Sequence, residues 1–551
     1  MLFQPKLLTT LTNYTRKQFV ADLLSGIIVG IVALPLAIAF AIASGISPEK
    51  GLFTAIVGGF LISALGGSRV QIGGPTGAFV VIVYGVVTHY GIGGLTIATL
   101  MAGVMLIFMG VFKLGSIIKY IPHPLIVGFT SGIALLIFSS QVKDFLGLKI
   151  ASVPADFIQK CIAYYQHAGS VNGWALFIAA VTTLIVFLTP KWSTKIPGSL
   201  IAILLATFAT QYFHLDVETI GKRFGSIPSM LPAPELPAMS FATIQQLIQP
   251  AFTIALLGGI ESLLSAVVAD GMIGSSHRSN TELIAQGIAN IGSSLFGGIP
   301  VTGAIARTAT NVKNGGRTPI AGIVHALTLL LIMLFVGKWA VLIPMPCLAG
   351  ILVVVAFNMS EYKSFFALLK GPKSDALVLL ATFLLTVLVD LTVAIEIGMI
   401  LAAFLFMRNM MHTSNVNLVS SHDENMTEDN DEKSITRYHV PNGIEVFEIT
   451  GPLFFGAAYK FKESIYSIKD PPRVLIIRMR AVPVIDATGL HTLEEVFKFV
   501  KRFGTQLIVS GIQPQVGKTL KESGLHEKLG DKNVVADIDQ ALERAKELLN
   551  T

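Results

Sequence analysis

Long apolar runs recur along the first three quarters of this 551-residue chain. Between about Asp22 and Met411, stretches of roughly 15 to 22 mostly apolar residues alternate with short polar segments. A helix needs about 20 such residues to cross the hydrocarbon core of a bilayer, and the minimum is about 17. When short and interrupted stretches are included, we distinguish about fourteen. The pattern predicts a polytopic α-helical membrane region over residues 1–411.

The pattern changes after His412. Residues 420–434 are acidic and polar without an apolar period, so we predict a flexible linker over 412–435. Beyond the linker, strand-like apolar segments alternate with amphipathic, helix-like segments, and this order predicts a small α/β domain over 436–551. The segments are 443–450, 473–479, 488–503, 506–510 and 537–549.

The composition excludes a purely soluble protein. Hydrophobic residues make up 52% of the chain and charged residues only 13%, whereas about a quarter of the residues are charged in ordinary soluble domains. The two cysteines, Cys161 and Cys347, are too few for a disulfide framework, and no spaced Cys/His cluster indicates a structural metal. We therefore predict a protein that is embedded in membrane lipid and uses no metal or organic cofactor.

The basic residues indicate the orientation of the membrane region. The formal charge is +6, but Lys and Arg are scattered between apolar runs and form no patch for nucleic acid. With the N-terminus in the cytoplasm, about twice as many of them fall on cytoplasmic as on outer segments, as the positive-inside rule requires. Residues 1–17 lack the apolar core and cleavage site of a signal peptide. We expect a multi-pass inner (plasma) membrane protein with both termini cytoplasmic.

Two similar motifs indicate an internal repeat. Residues 73–78 read Gly-Gly-Pro-Thr-Gly-Ala and residues 297–304 read Gly-Gly-Ile-Pro-Val-Thr-Gly-Ala, so the Thr-Gly-Ala triplets lie 226 residues apart. The apolar series restarts near Pro250 at almost the same offset from its beginning. The motifs thus hold matching positions in two halves, about 20–215 and 250–411. With about seven spans each, an odd number, the halves must have opposite orientations, which is a 7+7 inverted repeat.

Gly/Pro breaks at matching positions of inverted halves point to a substrate site at the membrane midplane. Each break ends an extended segment and starts a half-helix whose free N–H groups and positive dipole end attract an anion. On this interpretation, Thr76 and Gly77 of one half and Gly303 and Ala304 of the other lie at the anion site. The alternative is that both motifs are ordinary kinks of transmembrane helices.

Ionisable residues inside apolar runs are few, and each needs a reason, because insertion of a charge costs about 2.5 to 3.5 kcal/mol. Glu261 lies one turn before Ser265 on the same helix face, and this pair is a candidate site for a coupling proton or sodium ion. Arg307 lies just inside the second broken helix and is a candidate to hold an anionic substrate, to neutralise Glu261, or to do both. The alternatives are a helix-packing hydrogen bond for Glu261 and a snorkelling side chain for Arg307.

Other motifs limit the function. No Walker A sequence, paired nucleotide-binding domain or covalent nucleophile constellation is present, so we predict that the protein is no enzyme and is not driven directly by ATP. Ser279 with Glu282 fits a capping box that opens a helix. In the α/β domain, Asp486 or Thr488 can cap a helix, and an exposed Thr488 at the helix N-terminus is a candidate to carry a phosphate.

At these residues the sequence resembles the sulfate permease (SulP) family of anion transporters. The resemblance covers nearly the whole chain, and its combination of motifs is highly specific. It is carried by four segments of the membrane region and by a terminal STAS domain. The four segments are Leu34-Pro35 through Ala41, Gly74-Pro75-Thr76, Gly259 through Leu264, and Arg307-Thr308-Ala309-Thr310-Asn311.

The resemblance implies a fold, a site and a mode of action. The 7+7 inverted repeat is expected to form core and gate domains, to assemble as a homodimer and to move its core in an elevator-like manner. By position in the matching motifs, Phe40, Thr76, Ala306 and Arg307 are expected to line the anion site together with Glu261. Many relatives have serine where Ala306 stands, so this chain lacks a hydrogen-bonding side chain at that position.

The STAS domain resembles anti-sigma-factor antagonists, with Thr488 in the place of the residue that is phosphorylated there. This resemblance implies a regulatory role for Thr488 and its neighbour Asp486, and a cytosolic protein partner of the domain. A membrane-anchored signalling protein, in which the spans only sense an anion, is therefore an alternative function.

Within the family, the chain looks most like the bacterial branch associated with C4-dicarboxylates, through residues 304–311, 357–361 and 451–455. The sodium–bicarbonate branch usually lacks the arginine matched by Arg307. We therefore predict a secondary active transporter, a symporter that couples uptake of a dicarboxylate such as succinate or fumarate, or of an inorganic oxyanion such as sulfate, to protons. The alternatives are a sodium-coupled bicarbonate transporter, an uncoupled anion exchanger or channel, and a nucleobase transporter with the same inverted plan.

Overall fold

The computed structural model describes residues 3–116, 121–150, 153–154, 156–192, 198–225, 230–413, 415–419, 438, 440–468 and 470–550. The chain divides into two compact units, Met1–Ala402, which holds most of the apolar helices, and Ala403–Thr551.

Helices and one short strand, β1 (Gly73–Gly74), form the first half of the membrane unit. A π-helical turn at Thr54–Gly58 joins α3 to α4, so these two helices form one apolar rod. Helix α5 is interrupted at Gly91, whose φ of 70° is not helical, and therefore consists of two successive helical parts. The helices are α1 (Lys6–Thr10), α2 (Arg16–Ala43), α3 (Pro48–Phe53), α4 (Gly59–Leu65), α5 (Gly77–Val111), α6 (His123–Leu146), α7 (Phe157–Gln166), α8 (Gly173–Trp192), α9 (Gly198–Tyr212) and α10 (Ile220–Phe224).

The second half repeats this order of elements around strand β2 (Thr302–Gly303). Like β1, β2 is only two residues long and is followed at once by a helix. The helices are α11 (Phe241–Ile273), α12 (Ser279–Leu295), α13 (Ile305–Lys313), α14 (Pro319–Ala340), α15 (Met345–Met359), α16 (Tyr362–Leu369), α17 (Lys373–Leu388) and α18 (Leu391–Thr413).

The membrane elements number fourteen within the described residues, although only eight helical stretches are long and apolar enough to qualify as spans by themselves. One of the eight, α5, contains two parts, and five further helices are too short or too polar to qualify. These five are α8, α9, α12, α13 and α17. The total gives seven elements in each half, as the sequence predicted, and the helical membrane fold is confirmed.

The two halves pack reciprocally, as an inverted repeat requires. Helix α2 packs against α14, and its counterpart α11 packs against α5. Likewise, α6 packs against α17, while its counterpart α15 packs against α8. The half-strands β1 and β2 pair antiparallel, with Gly73 opposite Gly303 and Gly74 opposite Thr302. Each half therefore completes the other, and the strand pair lies at the centre of their interface.

Small residues let helices of the two halves approach backbone to backbone. A Cβ at Gly103 of α5 would lie 2.7 Å from the Gly287 carbonyl oxygen of α12, and a Cβ at Gly287 would lie 2.4 Å from the Gly103 oxygen. Gly26 of α2 approaches α14 as closely, since a Cβ there would lie 2.5 Å from the Ala321 oxygen. Helices in lipid associate through such close van der Waals contact. The helices around the strand pair therefore form a tightly packed block.

The C-terminal unit contains a five-stranded sheet in the order β3-β4-β5-β6-β7. Strand β3 pairs antiparallel at one edge, and the remaining strands are parallel. Buried apolar side chains cover both faces of the sheet, as expected for parallel strands connected by helices. The strands are β3 (Asn415–Val419), β4 (Ile444–Thr450), β5 (Val474–Ala481), β6 (Gln506–Ser510) and β7 (Val534–Val535). The helices are α19 (Phe455–Tyr466), α20 (Ala487–Arg502), α21 (Pro514–Glu522), α22 (Leu525–Leu529) and α23 (Ile538–Leu549).

The beginning of the predicted linker is structured. Helix α18 continues to Thr413, and residues 415–419 form the edge strand of the sheet instead of a flexible connection. The physical reason is the alternation of Val416, Leu418 and polar residues, which suits a strand paired along one edge. The acidic residues 420–434 lie outside the described part of the chain.

Candidate functional site

Two helices begin at the strand pair, one from each half of the membrane unit. Helix α5 begins at Gly77 after Thr76, and helix α13 begins at Ile305 after Ala304. No side chain caps either N-terminus, so the first N–H groups of both helices remain available to a ligand. The N-terminal residues of both helices line the same cavity. Two positive helix ends therefore converge on one space, which is a favourable environment for an anion.

The cavity has a volume of about 390 Å³ and lies between two groups of helices. One wall comes from the block around the strand pair, that is, from α2, α5, α11 and α13. The opposite wall comes mainly from the first turns of α6 and the last turns of α15. Most of its lining is apolar, and a few polar side chains project into it, as is usual for a small-molecule site.

Glu261 of α11 projects into the cavity and is held by the opposite half of the molecule. The Thr76 hydroxyl donates a hydrogen bond of 2.8 Å to its Oε2 atom. Glu261 is half-buried, whereas its neighbours Ile260 and Ser262 are buried among packed helices. The structure thus combines the helix N-terminus of α5 with a carboxylate from α11, and the predicted residues Thr76 and Glu261 lie together.

Arg307 of α13 borders the cavity beside the strand pair and is only 2% exposed. Its Nη2 atom donates a hydrogen bond of 3.0 Å to the carbonyl oxygen of Pro75. Its Nη1 atom is buried without a hydrogen-bond partner in the described part of the chain. A Cβ at Gly74 would lie 1.8 Å from Nη1, so only glycine leaves room for the guanidinium there. The guanidinium does not reach a surface, and the snorkelling alternative is therefore wrong.

The remaining predicted anion-site residues divide into two groups. Phe40, Gly77, Ala304 and Ala306 line the cavity together with Thr76 and Arg307. Gly303 lies behind the lining, where a Cβ would be 1.4 Å from the side-chain nitrogen of Gln71. Gly303 therefore provides space for strand pairing and for Gln71 rather than a surface for a ligand.

Ser265 does not face the cavity. Its hydroxyl is buried and donates a hydrogen bond of 3.2 Å to Thr308 Oγ1. Thr308 Oγ1 in turn accepts a hydrogen bond of 3.0 Å from the Ile72 backbone N–H beside β1. The structure therefore does not bring Ser265 and Glu261 together as one ion site. Ser265 instead connects α11 and α13 to the segment that leads into the first half-strand.

Glu282 has a different role from the predicted cap. Helix α12 follows Arg278 as its N-cap residue, without a side-chain cap. Glu282 is fully buried and accepts hydrogen bonds from the Gly67 and Ser68 backbone N–H groups at 2.7 and 3.0 Å. The capping-box prediction is wrong because α12 is packed inside the protein. The Glu282 carboxylate therefore binds the loop that leads to β1 instead of the N-terminus of its own helix.

Several cavity residues could not be recognised from their position in the sequence. Asn358, Met359 and Glu361 lie at the end of α15, and Phe129 and Thr130 lie near the start of α6. Residues 357–361 supported the family resemblance, but nothing in the sequence indicates that they face the same space as the broken helices. Among the described residues, no group of three or more His, Cys, Asp or Glu side chains is arranged to hold a metal.

In the C-terminal unit, Asp486 is the N-cap of α20. Its carboxylate accepts a hydrogen bond of 2.7 Å from the Gly489 backbone N–H. Thr488 lies in the first turn of this helix and is exposed. The capping role therefore belongs to Asp486, and the Thr488 hydroxyl is free of it.

The chain matches two known families. Residues 19–382 match the sulfate permease family, and residues 437–541 match the STAS domain. YvdB of Bacillus subtilis, which is provisionally named a sulfate transporter, is 42% identical over 94% of this chain and 96% of its own length. The bicarbonate transporter BicA of Picosynechococcus is 30% identical over 95% of this chain and 94% of its own length.

Solved structures share the fold. The murine anion transporter SLC26A9 in its inward-facing state matches with a TM-score of 0.88 at 19% identity, over 98% of this chain and 94% of that one. The transmembrane domain of a cyanobacterial BicA matches with a TM-score of 0.63 at 32% identity, over 71% of this chain and 98% of that one. Together with the family matches, these relatives confirm the predicted fold class and the prediction that the protein is a transporter and no enzyme. The chain belongs to the sulfate permease family and carries a C-terminal STAS domain.

Proposed function

We propose that the protein is a secondary active transporter that couples anion uptake to protons. The observation that carries this proposal is the meeting of opposite charges in one cavity. The carboxylate of Glu261, hydrogen-bonded to Thr76, and the guanidinium of Arg307, hydrogen-bonded to the Pro75 carbonyl, both border the space on which two helix N-termini converge. An anion can bind the helix ends and the guanidinium, while the carboxylate can carry the proton.

Coupling follows from the position of Glu261 beside the anion. An ionised Glu261 repels a bound anion and competes with it for Arg307, whereas a protonated Glu261 does neither. By linkage, anion binding and protonation of Glu261 therefore strengthen each other. The loaded site then holds one anion and one proton, and the empty site holds the Glu261 carboxylate near Arg307. A proton gradient can drive accumulation through this mutual dependence.

The cavity wall formed by α2, α5, α11 and α13 around the strand pair is called the strand-pair block. The proposed transport step is a movement of this block relative to the opposite wall. The block carries Thr76, Glu261 and Arg307 together, so it can move as an elevator with its anion. The other wall contains the His123 end of α6 and the Met359 end of α15. The positive-inside rule places both of these ends at the cytoplasmic side. We infer that the cavity in this structure opens inward.

The substrate proposed is a C4-dicarboxylate such as succinate or fumarate, or an inorganic oxyanion such as sulfate. A cavity of 390 Å³ accommodates any of these ions. Sodium-coupled bicarbonate transport is the second candidate, and it is favoured by the likeness to BicA, which is named a bicarbonate transporter. An uncoupled exchanger or channel is the third candidate, since it needs the helix ends and no titrating group.

Uptake into proteoliposomes distinguishes these candidates. Labelled succinate, sulfate and bicarbonate are supplied in parallel with an inward proton gradient, an inward sodium gradient or none. We expect one dicarboxylate or oxyanion to accumulate above its external concentration, and only when the proton gradient is imposed. Accumulation of bicarbonate with sodium would establish the second candidate instead. Equilibration of an anion without accumulation under any gradient would establish the third.

We further propose that the protein resides as a homodimer in the inner membrane, with its termini and STAS domain in the cytoplasm. Thr488 is the proposed phosphate acceptor of that domain, since it is exposed in the first turn of α20, where a helix N-terminus tolerates negative charge. A phosphate there could control binding of a cytosolic partner. Mass spectrometry of the protein from native cells is expected to find phosphorylated Thr488 under some growth condition, and an unmodified residue under all of them would count against this role.

A further inference from the structure

Glu361 is a second carboxylate of the transport cavity. Among the described residues that line this cavity, three are ionisable, namely Glu261, Arg307 and Glu361. Glu261 and Arg307 belong to the strand-pair block, whereas Glu361 belongs to the opposite wall, after the last turn of α15. The cavity that we propose for an anion therefore contains one more carboxylate than it has guanidinium groups.

The backbone at Glu361 adopts a conformation that a glutamate does not favour. Its φ of 42° and ψ of 38° lie in the left-handed region, where a Cβ is disfavoured and glycine or asparagine is the usual residue. The preceding residue is fixed, because the Ser131 hydroxyl of α6 donates a hydrogen bond of 2.6 Å to the Ser360 carbonyl oxygen. An unfavourable backbone conformation that the surroundings impose is a feature of functional positions.

Local structure does not explain why this residue is a glutamate. Glu361 occupies the N-cap position of α16, but its side chain makes no capping hydrogen bond. The side chain is exposed, and among the described residues it has no ion-pair partner. Within the described part of the chain, the carboxylate is therefore directed neither at its own helix nor at a cation, and it lines the cavity, where its charge acts.

We propose that Glu361 is a charge filter that disfavours dianions relative to monoanions. The consequence, which rests on the proposed anion transport, is that a doubly charged substrate binds in the cavity less tightly than a singly charged anion of similar size. The repulsion energy between a fixed carboxylate and an anion is proportional to the charge of the anion. Each additional negative charge on a substrate therefore adds the same unfavourable binding energy.

The expected size of the effect follows from the dimensions of the cavity. A volume of 390 Å³ corresponds to a width of roughly 10 Å, and at this separation two unit charges in a well-solvated site repel each other enough to change affinity about two- to fourfold. Removal of the charge is therefore expected to strengthen monoanion binding about two- to fourfold and dianion binding about four- to sixteenfold.

Counterflow in proteoliposomes without any imposed ion gradient tests this filter. Because no gradient is present, the result does not depend on which cation, if any, drives uptake. Labelled succinate, sulfate or bicarbonate, whichever wild type exchanges, is used at low salt and mildly alkaline pH. The inhibition constants of unlabelled formate, chloride, sulfate and succinate are then measured for wild type and Glu361→Gln. We expect the constants of the two dianions to fall about two- to fourfold more than those of the two monoanions when Glu361 is replaced, and this difference to shrink at high salt.

A matched control separates the filter from a general change of surface charge. Asp375→Asn removes one carboxylate from the first turn of α17, which does not line the cavity, and should leave the ratio unchanged. Equal shifts for monoanions and dianions in Glu361→Gln, a difference that does not respond to salt, or the same shift in Asp375→Asn would each overturn the filter. Absence of counterflow in wild type with every labelled anion would instead overturn the proposed anion transport.

Discussion

Replacement of Arg307 by glutamine is expected to reduce anion transport on the order of 10- to 100-fold. The guanidinium is 2% exposed, is held by the Pro75 carbonyl and keeps its Nη1 atom without a partner in the described part of the chain. A buried donor without a hydrogen-bond partner destabilises the protein. An anion in the adjoining cavity can provide the missing acceptor. The loss should occur in the apparent affinity, measured as the KM of labelled anion uptake in proteoliposomes.

Two comparisons assign this loss to the guanidinium. Arg16→Gln makes the same chemical change at an exposed position on the first residue of α2 and should transport normally. Arg307→Lys keeps the charge but loses the planar fork, so it should recover only part of the affinity. Undiminished affinity in Arg307→Gln, with the protein monodisperse, would exclude the guanidinium from substrate binding.

Replacement of Glu261 by glutamine is expected to abolish accumulation driven by a proton gradient while leaving anion exchange intact. Glutamine has nearly the same shape as glutamate. It still offers an oxygen to the Thr76 hydroxyl, which donates a hydrogen bond of 2.8 Å to the native carboxylate. It cannot release a proton, so it resembles the protonated state in which an anion is tolerated. The measurement compares net uptake under a proton gradient with counterflow at uniform pH.

Glu261→Asp provides the matched comparison. The shorter side chain still titrates, so coupling should persist, although the longer distance to Thr76 weakens the hydrogen bond that holds it. Full concentrative uptake by Glu261→Gln under a proton gradient would show that the proton is carried by another group. Loss of both accumulation and exchange would point to a role of Glu261 in anion binding or packing instead of coupling.

The repeat was predictable because an inverted fold leaves a mark in the sequence. The two Thr-Gly-Ala triplets stand at matching positions, and in the structure the segments around them pair as antiparallel half-strands, with Gly73 opposite Gly303. Glycines at these points cannot be replaced without collision, since a Cβ at Gly74 would meet Arg307 and a Cβ at Gly303 would meet Gln71. The partners in these collisions lie in the other repeat, but the glycines that they require are visible as repeated motifs in a single sequence.

The charged residues of the site were also predictable, because a charge inside an apolar span needs a reason. Glu261 and Arg307 were singled out on that ground, and the structure places both at one cavity. Ser265 was selected by helix periodicity alone. Periodicity indicates which face of α11 carries Ser265, but not which element packs against that face. In the structure α13 packs there, and Ser265 bonds to its Thr308.

The opposite wall of the cavity was not predictable in the same way. Asn358 and Glu361 lie about a hundred residues from Glu261 in the sequence and on the other side of the cavity. Their placement depends on how α15 packs against α6 and α8, which is a property of the whole assembly of helices. Glu282 was misread for the same reason, since its partners at Gly67 and Ser68 belong to the other repeat.

The most direct test of proton-coupled anion transport is to measure proton entry and anion entry together. Proteoliposomes contain a pH-sensitive dye, no gradient is imposed, and unlabelled succinate or sulfate is added outside with potassium and valinomycin to remove any voltage. We expect the lumen of wild-type vesicles to acidify as the anion enters, and that of Glu261→Gln vesicles to remain at constant pH. Anion entry without acidification in wild type, or the same acidification in both proteins, would contradict proton coupling through Glu261.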